Sequence, residues 1–343
     1  RAMHLIKAKA TLSDYFDLNR RYFKVTDVVI FEDGKVCLDV LPKCFFAEAG
    51  EELTDLAFRR CAQLEEDVPL EAIAPCLAVE PARLYARLSR EVGVAVTDSA
   101  AAKQVLKARR YARFDRMVEA RFTKEVLSRL FEMFRLRQDG EIHRLVTDNA
   151  DIPTIYEYIT AIAWYRISGC KGDVLEYMNL SLEADLLPRT HAGGGEADIV
   201  WKYGATDHYP AHTLLIEATL SDGSGQRRME MEPVSRHLGD YRLAHGDEEA
   251  YCVFTSTNVN YNVISDFRLR RDMVYYSPDG NHKVKGLKIL PLYTEQIADL
   301  LEAEVEYDQV YQLLEQAHRA EEEPREWFER RIAGACRRAG GCR

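Results

Sequence analysis

Two apolar runs near the middle of the chain have the pattern of neighbouring strands. The first covers residues 197–201 and the second covers residues 213–220, in which Leu214, Leu215 and Ile216 stand in an unbroken row. Short continuous apolar runs of this kind are typical of strands that are buried inside a sheet. The spacing between them predicts a hairpin.

Each of these two predicted strands carries one carboxylate. Asp198 lies in the first strand and Glu217 in the second, and a hairpin of this length brings both side chains to one edge of a sheet. An ionised carboxylate in an apolar strand is costly unless a cation lies beside it. Mg²⁺ prefers oxygen ligands, which the two carboxylates and the main-chain carbonyl of Ala218 would provide. The pattern therefore predicts the metal site of an enzyme that hydrolyses phosphodiesters.

The surrounding pattern predicts helices and strands in an α/β order. Apolar segments predict helices or strands according to their length and flanks, and a polar, glycine-containing segment predicts a loop. In chain order we expect a helix over 153–168, the two acid-bearing strands, a loop over 220–226, a helix to about residue 244, strands at 251–257 and 286–293, and a helix opened by Thr294.

Polar side chains recur at helical spacing after the predicted loop. Gln226, Glu230, His237 and Tyr241 are separated by four, seven and four residues, which places them on one helix face. Pro233 either splits this segment or marks the start of a new helix. The face is a solvent-facing stripe or part of the metal site. We favour the second reading for Glu230, as a further ligand of the metal or of its water.

The first part of the chain predicts small helical elements and one hairpin. Apolar runs flank residues 32–34, and the Asp-Gly pair there favours a tight hairpin. Residues 51–64 have a helical pattern. Residues 69–93 are similar to a helix-turn-helix, and the alternative is a small helical packing module. A recognition helix there would present three arginines to DNA: Arg83, Arg87 and Arg90.

Residues 103–137 predict a strongly basic amphipathic helix. They contain eleven Lys and Arg against four Asp and Glu, and their apolar residues recur at helical spacing. Arg109, Arg110 and Arg113 lie on this segment. The helix is either a solvated surface or a surface that follows the DNA backbone, since phosphate contacts supply most non-specific affinity for DNA.

Composition and charge narrow the class of protein. The 343 residues are enough for two or three modules with a sizeable core, and the net charge of −10 argues against general affinity for nucleic acid. Eight cysteines without a Cys-x-x-Cys pair argue against zinc and favour a reducing cytosol. No signal peptide or membrane-spanning run is present, so a cytoplasmic protein without membrane contact is expected. The absence of an initiator Met is consistent with a piece of a longer or tagged protein.

Several stretches resemble one family of nucleases. Asp198 followed by Glu217-Ala218-Thr219 is similar to the Asp…(Asp/Glu)-x-Lys core of restriction-endonuclease-like enzymes. The sequence around these residues resembles the AlwI-type type IIS restriction endonucleases over most of residues 10–300. It does so in DLNRRYFKVTD (17–27), DIPTIYEY (151–158), MNLSLEADLLPRTHAGGGEADIV (178–200), LLIEATL (214–220) and QRRMEMEPVSRHL (226–238).

The resemblance implies a fold, a cofactor and further site residues. The fold would be a restriction-endonuclease-like α/β domain, with a central mixed sheet flanked by helices, preceded by a mainly helical module. The cofactor would be Mg²⁺, with Mn²⁺ as a substitute. In such folds the first helix often sends an acid into the metal site, so Glu157 is a candidate. The alternative for Glu157 is an ion pair with Arg166 or another base.

One position departs from the core of the wider superfamily. Thr219 stands where that superfamily has lysine, so another group has to stabilise charge in the transition state. The candidates are Arg227 or Arg228, a hydrogen bond from Thr219 itself, or a second metal held with Glu230. We prefer the second metal.

Together these observations predict a Mg²⁺-dependent endonuclease for double-stranded DNA in restriction or phage defence, cutting at a distance from its recognition site. The alternatives are a DNA-binding module or inactive partner subunit with a nuclease-like scaffold, and a nicking nuclease that works with a partner protein. Cutting both strands would call for a homodimer or a heterodimer. We predict a DNA-contacting module over 1–137, a catalytic domain over 138–317 and a charged, partly disordered tail over 318–343.

The candidate residues fall into three groups. The catalytic candidates are Asp198, Glu217, Thr219, Glu230, Glu157, Gln226 and Arg227. The metal ligands are Asp198, Glu217, Ala218 and Glu230. The DNA-binding candidates are Arg83, Arg87, Arg109, Arg110, Arg113, Arg236 and His237.

Overall fold

The chain folds into two compact units. The first comprises Arg1–Phe114 with Glu183–Leu186, and the second comprises Asp115–Leu182 with Leu187–Arg343. The structure is a computed structural model that describes residues 2–26, 28–32, 35–50, 53–54, 69–191, 195–221, 223–246 and 248–339. The predicted functional division at residues 137 and 317 stays a prediction.

The first unit is built mainly from helices. Its elements are α1 (Ala2–Val25), the antiparallel strands β1 (Val29–Glu32) and β2 (Lys35–Leu38), α2 (Val40–Ala49), α3 (Leu70–Ile73), a 3₁₀ turn (Pro75–Leu77), α4 (Pro81–Val92) and the first part of α5 (Ser99–Arg121). The predicted hairpin strands are confirmed, while its Asp-Gly turn and most of the helix predicted over 51–64 lie outside the described residues. A small core joins α2, α4 and α5, with Val40, Cys44, Leu88, Val96 and Ala102 buried.

The predicted helix-turn-helix is wrong in its first helix. That helix is a single turn, α3, because Pro75 disfavours a helical conformation at the residue before it. Ala74 is accordingly extended, with φ −157° and ψ 136°, and Pro75 opens a 3₁₀ turn. The second helix, α4, is present as predicted. The packing-module alternative therefore describes residues 69–93 better.

The second unit carries a mixed sheet between helices. Its elements before the acid-bearing strands are the end of α5, α6 (Lys124–Arg135), α7 (Asp139–Leu145), α8 (Ile152–Ile167), α9 (Val174–Tyr177), β3 (Ser181–Leu182) and β4 (Pro188–Thr190). Then follow β5 (Ile199–Tyr203), β6 (His212–Thr219), α10 (Gly223–His245), β7 (Ala250–Ser256), α11 (Tyr261–Arg270), β8 (Val274–Tyr276), β9 (Lys283–Lys285) and β10 (Ile289–Tyr293). The unit ends with α12 (Thr294–Glu302), α13 (Tyr307–Arg319), α14 (Pro324–Trp327), a π-helical turn (Phe328–Ala333) and α15 (Gly334–Ala339).

The central sheet has the strand order β10-β7-β6-β5. Strands β5 and β6 form an antiparallel hairpin, while β6, β7 and β10 run parallel to one another. Strands β6 and β7 are buried over nearly their whole length, as their apolar sequences predict. Helix α8 is also buried along most of its length. The predicted α/β fold with a central mixed sheet is confirmed.

Several predicted elements differ in extent from the structure. The basic segment 103–137 is two helices, because the Thr123 side chain accepts a hydrogen bond from Val126 N and starts α6 anew. The loop predicted over 220–226 already becomes helical at Gly223. The predicted disorder of the tail does not hold for residues 324–339, which are helical because Trp327 and Ile332 are buried among other apolar side chains.

None of the helices in the described part of the chain combines the length and the apolarity that a membrane span needs.

Candidate active site

The β5–β6 hairpin brings Asp198 and Glu217 together, as predicted. Ile199 pairs with Ile216, so Asp198, one residue before β5, lies opposite Glu217 near the end of β6. One carboxylate oxygen of Asp198, Oδ2, accepts a hydrogen bond of 2.7 Å from the main-chain N–H of Ala218. This bond holds the Asp198 side chain at the edge of the sheet. Asp198 precedes the strand and does not lie within it, which corrects the predicted strand boundary.

Helix α10 lies along β6 and covers the face that carries Glu217. Nδ1 of His237 shares a hydrogen bond of 2.7 Å with Oε1 of Glu217. The hydroxyl of Thr219 donates to Oε1 of Glu230 over 2.7 Å. Glu217 and Thr219 are two residues apart on one strand, so their side chains share a face of the sheet. Thr219, which stands where the wider superfamily has lysine, therefore orients Glu230, the third carboxylate among the candidate metal ligands.

The prediction from helical spacing that Glu230 and His237 lie on one face of a helix is confirmed, because both side chains contact β6 from α10. Helix α10 continues through Pro233, so the proline does not split it. At its start Gln226 is fully buried, and its Nε2 donates to the carbonyls of Asn258 and Ser221 over 2.7 and 3.0 Å. Its Oε1 accepts from Asn260 N over 2.8 Å. These bonds fix the first turn of the helix where a loop was expected, and they make Gln226 a positioning residue.

Glu157 reaches the same region from α8. Its side chain is 8% exposed, and its Oε2 is buried without a hydrogen-bond partner among the described residues. The alternative partner, Arg166, donates instead to the main-chain carbonyls of Phe122 and Val118, over 2.7 and 3.0 Å. The ion pair of Glu157 with Arg166 is therefore wrong. An orphaned carboxylate oxygen remains that a cation could satisfy.

The acids influence one another strongly. Burial raises the pKa of Asp198 well above its usual value, and the nearby charges of Glu217, Glu157 and Glu230 raise it further. Burial also raises the pKa of Glu157, to about 7. The pKa of Glu217 is raised by burial even though the hydrogen bond with His237 lowers it. Several carboxylates thus share a poorly solvated space with too little positive charge.

This arrangement fits a cation bound by few protein ligands. In the described part of the chain, no three His, Cys, Asp or Glu side chains are placed so that they could enclose a metal ion by themselves. Mg²⁺ is usually bound through one or two carboxylates and keeps several waters. Asp198 and Glu217 provide such a pair, and the orphaned oxygen of Glu157 lies in their electrostatic reach. The donor set therefore suits Mg²⁺ with water better than a closed cage.

Two further residues of this region were missed in the sequence. Asp151 caps α8, its side chain accepting from Thr154 N over 2.9 Å, and its charge raises the pKa of Glu157. His191 lowers that same pKa. Neither residue has a spacing relation to Asp198 or Glu217 along the chain. Asp151 is near Glu157 because it caps α8, the helix that carries Glu157, and the tertiary fold brings the charge of His191 near Glu157.

The basic candidates of α10 occupy different surroundings. Arg227 forms an ion pair of 3.0 Å with Asp266, and Arg228 is exposed. Arg236 forms an i,i+4 ion pair of 3.1 Å with Glu232, and its charge lowers the pKa of Glu217. Arg227 thus has a partner of its own, whereas Arg236 acts on the acid site.

The basic candidates of the first unit also divide into two kinds. Arg83 and Arg87 both form ion pairs with Glu48. Arg113 donates through Nη2 to the carbonyl of Ala184. Arg109 and Arg110 are exposed.

His237 of the second unit was predicted to contact DNA. It instead lies largely buried against Glu217, and its Nε2 lacks a partner among the described residues.

Comparison with known proteins gives one family and one similar structure. The sequence model of a family described as AlwI restriction endonuclease matches residues 3–300. The small subunit of the heterodimeric restriction endonuclease R.BspD6I is similar with 20% identity and a TM-score of 0.42, over 60% of this chain and 97% of that one. No curated protein matches the sequence.

Proposed function

Because this chain belongs to the AlwI restriction endonuclease family, we propose that it hydrolyses phosphodiester bonds of double-stranded DNA with Mg²⁺ as cofactor. The observation that carries this proposal is the gathering of Asp198, Glu217 and Glu157 in one buried space at the end of β6. Their mutual repulsion is unfavourable in the free protein, and a divalent cation would offset it. Mn²⁺ is expected to substitute.

The ligands proposed for the metal are Asp198, Glu217 and the main-chain carbonyl of Ala218. A bound Mg²⁺ would lower the pKa of a coordinated water and neutralise negative charge on the phosphoryl oxygens. The N–H of Ala218 holds Oδ2 of Asp198, which leaves Oδ1 to face a cation. Glu217 is oriented by Nδ1 of His237. The two carboxylates are thereby fixed before any substrate binds, which limits the reorganisation needed during the reaction.

His237 is proposed to do more than orient Glu217. Its Nε2 is buried and without a partner in the described structure, and a metal-bound water that reached this nitrogen would satisfy it and could exchange a proton with it. Its ring is held by the bond of Nδ1 to Glu217. This pairing of an oriented imidazole with an acid is typical of acid–base catalysis.

Charge in the transition state, which lysine stabilises in the wider superfamily, is proposed to be stabilised here by two groups: a metal or water beside Glu230, and Arg236. Thr219 holds Glu230, which suits a second metal or the water beside it. Arg236 is the arginine whose charge reaches Glu217, and its ion pair with exposed Glu232 is a weak one. Arg236 is therefore better placed than Arg227, which binds Asp266, to meet a DNA phosphate.

Non-specific contacts with DNA are proposed for the exposed basic residues of α5. Arg109 and Arg110 are exposed, and the ion pairs of Arg83 and Arg87 with Glu48 make those two weaker candidates. Family membership favours cutting at a distance from a recognition site, in a bacterial restriction or phage-defence setting in the cytoplasm. Cleavage of both strands would need a second active site from a homodimer or a heterodimer.

Cleavage of supercoiled plasmid with Mg²⁺ tests the proposal. Asp198→Asn should abolish cleavage while DNA binding in Ca²⁺ stays close to that of the unaltered protein, because phosphate contacts dominate affinity. Asp207→Asn is the matched control, since Asp207 is exposed in the turn of the same hairpin and should leave the rate unchanged.

The cleavage products distinguish the alternatives. Linear product supports two-strand cutting, and nicked circles alone indicate a strand-specific nuclease. An unaltered protein that binds DNA but leaves the plasmid intact in Mg²⁺ and in Mn²⁺ would indicate an inactive partner subunit. Equal cleavage by Asp198→Asn and Asp207→Asn would refute the assigned site.

A further inference from the structure

A cavity of about 440 Å³ lies at the opposite end of the central strands from the acids. It is found where β7 begins at Ala250 and just before β10, whereas Glu217 stands near the end of β6, which runs parallel to β7. Its volume falls within the range of roughly 300–1,000 Å³ that is usual for small-molecule sites. Its basic lining residues are Arg242, Arg271, Lys285, Lys288 and His318.

The two arginines of the cavity are held in place by main-chain carbonyls. Nη1 of Arg242 donates to the carbonyls of Lys285 and Gly286, and Nη1 of Arg271 donates to the carbonyl of Ala320. Nε and Nη2 of Arg271 also donate to the Asp272 carboxylate over 3.4 Å. A guanidinium has five N–H donors, so Arg242 keeps donors for another acceptor. In the described part of the chain, no carboxylate lies within ion-pair distance of Arg242 or Lys285. Arg242 and Lys285 therefore lack a counter-ion in that part of the chain. The Arg242 guanidinium is also already oriented by its bonds to the carbonyls of Lys285 and Gly286.

Lys288 is a further cation of the lining, and it is already paired with carboxylates. Its side chain is 11% exposed, its ammonium contacts the Glu315 carboxylate, and it lies 3.9 Å from Glu249. It also lies over the ring of Tyr251, 4.4 Å from the centroid. Burial lowers the pKa of Lys288 to about 8. Glu248 and Glu249 also line the cavity, and Arg271 lies 3.4 Å from Asp272. Of the four lining cations, Arg242 and Lys285 are therefore the two without an ion pair among the described residues.

His318 lies in the lining close to several of these cations. Burial, together with the charges of Lys288, Arg268, Arg271 and Arg319, lowers its pKa to about 4. An anion bound close to this buried imidazole would favour its protonated form, so His318 can report on the occupation of the cavity.

We propose that this cavity binds a phosphate group, either of a free nucleotide or of a DNA backbone that passes over this end of the sheet. Arginine and lysine together suit this ligand, since the guanidinium offers paired donors and the ammonium a point charge. The cavity lies apart from the acids, so its occupation does not depend on cleavage.

The titration of His318, followed by NMR of ring-labelled histidine in the full chain, tests the proposal. Inorganic phosphate should raise the pKa of His318 by about one to three pH units, because an anion at close range favours the imidazolium. Chloride at the same ionic strength should leave it unchanged. His318→Asn assigns the signal by removing it. No response to phosphate, or an equal response to chloride, would overturn the proposal.

A pair of lysine variants separates the cavity from general surface charge. Lys285→Gln removes a lining cation and should weaken phosphate binding about threefold to tenfold, which corresponds to up to about 1.4 kcal/mol. Lys283→Gln changes an exposed lysine two residues away on β9 that does not line the cavity, and it should have no effect. Equal weakening by both variants would refute a defined site.

The source of the phosphate follows from two further titrations of the protein carrying Asp198→Asn. A response of His318 to duplex DNA indicates a backbone contact, and a response to a nucleoside triphosphate but not to DNA indicates a small-molecule site. Either response supports the cavity. Asp198→Asn is expected to leave the DNA uncut during the titration, and binding is measured directly, so the result stands whether or not the proposed cleavage is observed.

Discussion

Replacing Glu157 with Gln should make the metal-free protein more stable at neutral pH. Glu157 is 8% exposed as a residue, and one oxygen of its carboxyl is orphaned. Burial is the main cause that raises the pKa of this carboxyl from 4.5 to about 7. Below pH 4.5 the carboxyl is protonated in the folded and the unfolded chain, and its stability contribution is fully present. Between pH 4.5 and 7 the unfolded chain releases the proton and the folded chain keeps it, so stability falls as pH rises.

The size of this effect follows from the pKa difference. A change from 4.5 to about 7 corresponds to about 3 kcal/mol, at 1.36 kcal/mol for each pH unit. Glutamine has nearly the same shape and no charge, so Glu157→Gln should remove this loss. It should match the unaltered protein near pH 4.5 and exceed its free energy of unfolding by up to about 3 kcal/mol near pH 8. Because Asp198 and Glu217 respond to the same charge, this figure is an upper value.

Urea denaturation in EDTA at both pH values is the assay. Glu302→Gln is the matched control, because Glu302 is an exposed glutamate of the same unit and should change stability little at either pH. Adding Mg²⁺ near pH 8 should stabilise the unaltered protein more than Glu157→Gln, since the cation offsets the same repulsion. A Glu157→Gln protein that is less stable at both pH values would refute the reasoning, because it would mean that Glu157 makes favourable contacts.

Three further outcomes are expected. Charge reversal of Arg109 and Arg110 should weaken binding to DNA of any sequence. The slope of log binding constant against log salt concentration should become shallower by about 0.9 for each phosphate that is no longer neutralised, and an unchanged slope would mean that these arginines form a solvated surface. Glu230→Gln should slow cleavage at least about tenfold, or about 1.4 kcal/mol, and raise the Mg²⁺ midpoint, whereas a normal rate and midpoint would exclude a second metal there. Gly239→Ala places a methyl group 2.5 Å from the Tyr275 ring and should cost about 1–3 kcal/mol of unfolding free energy, which thermal denaturation would detect.

The acid-bearing hairpin could be predicted because its determinants are local. Two apolar runs, each with one carboxylate in or beside it, are enough to give two neighbouring strands. The register of the hairpin, in which Ile199 pairs with Ile216, then places Asp198 opposite Glu217. The period of the helix likewise placed Glu230 and His237 on the face that meets β6. The family resemblance read from these stretches is confirmed by the match over residues 3–300.

Local rules failed where a distant interaction decided the conformation. The start of α10 has glycines that favour a loop, yet Gln226 bonds to the carbonyl of Asn258, which follows β7 in the chain. The end of the chain has small and basic residues that favour disorder, yet Trp327 is buried and donates to the carbonyl of Ala317. In both cases tertiary contacts outweighed weak local preferences.

The sequence by itself therefore determined the family, the strand pair and the acids on it, since these depend on residue identity and on the fixed periods of helices and strands. The tertiary structure decided the electrostatics. It buried one oxygen of Glu157, brought His191 beside that acid, turned Arg83 and Arg87 toward Glu48, and gathered the cations of the far cavity. The physical reason is that a pKa or an ion pair depends on distance and burial in space, and neither is encoded by separation along the chain.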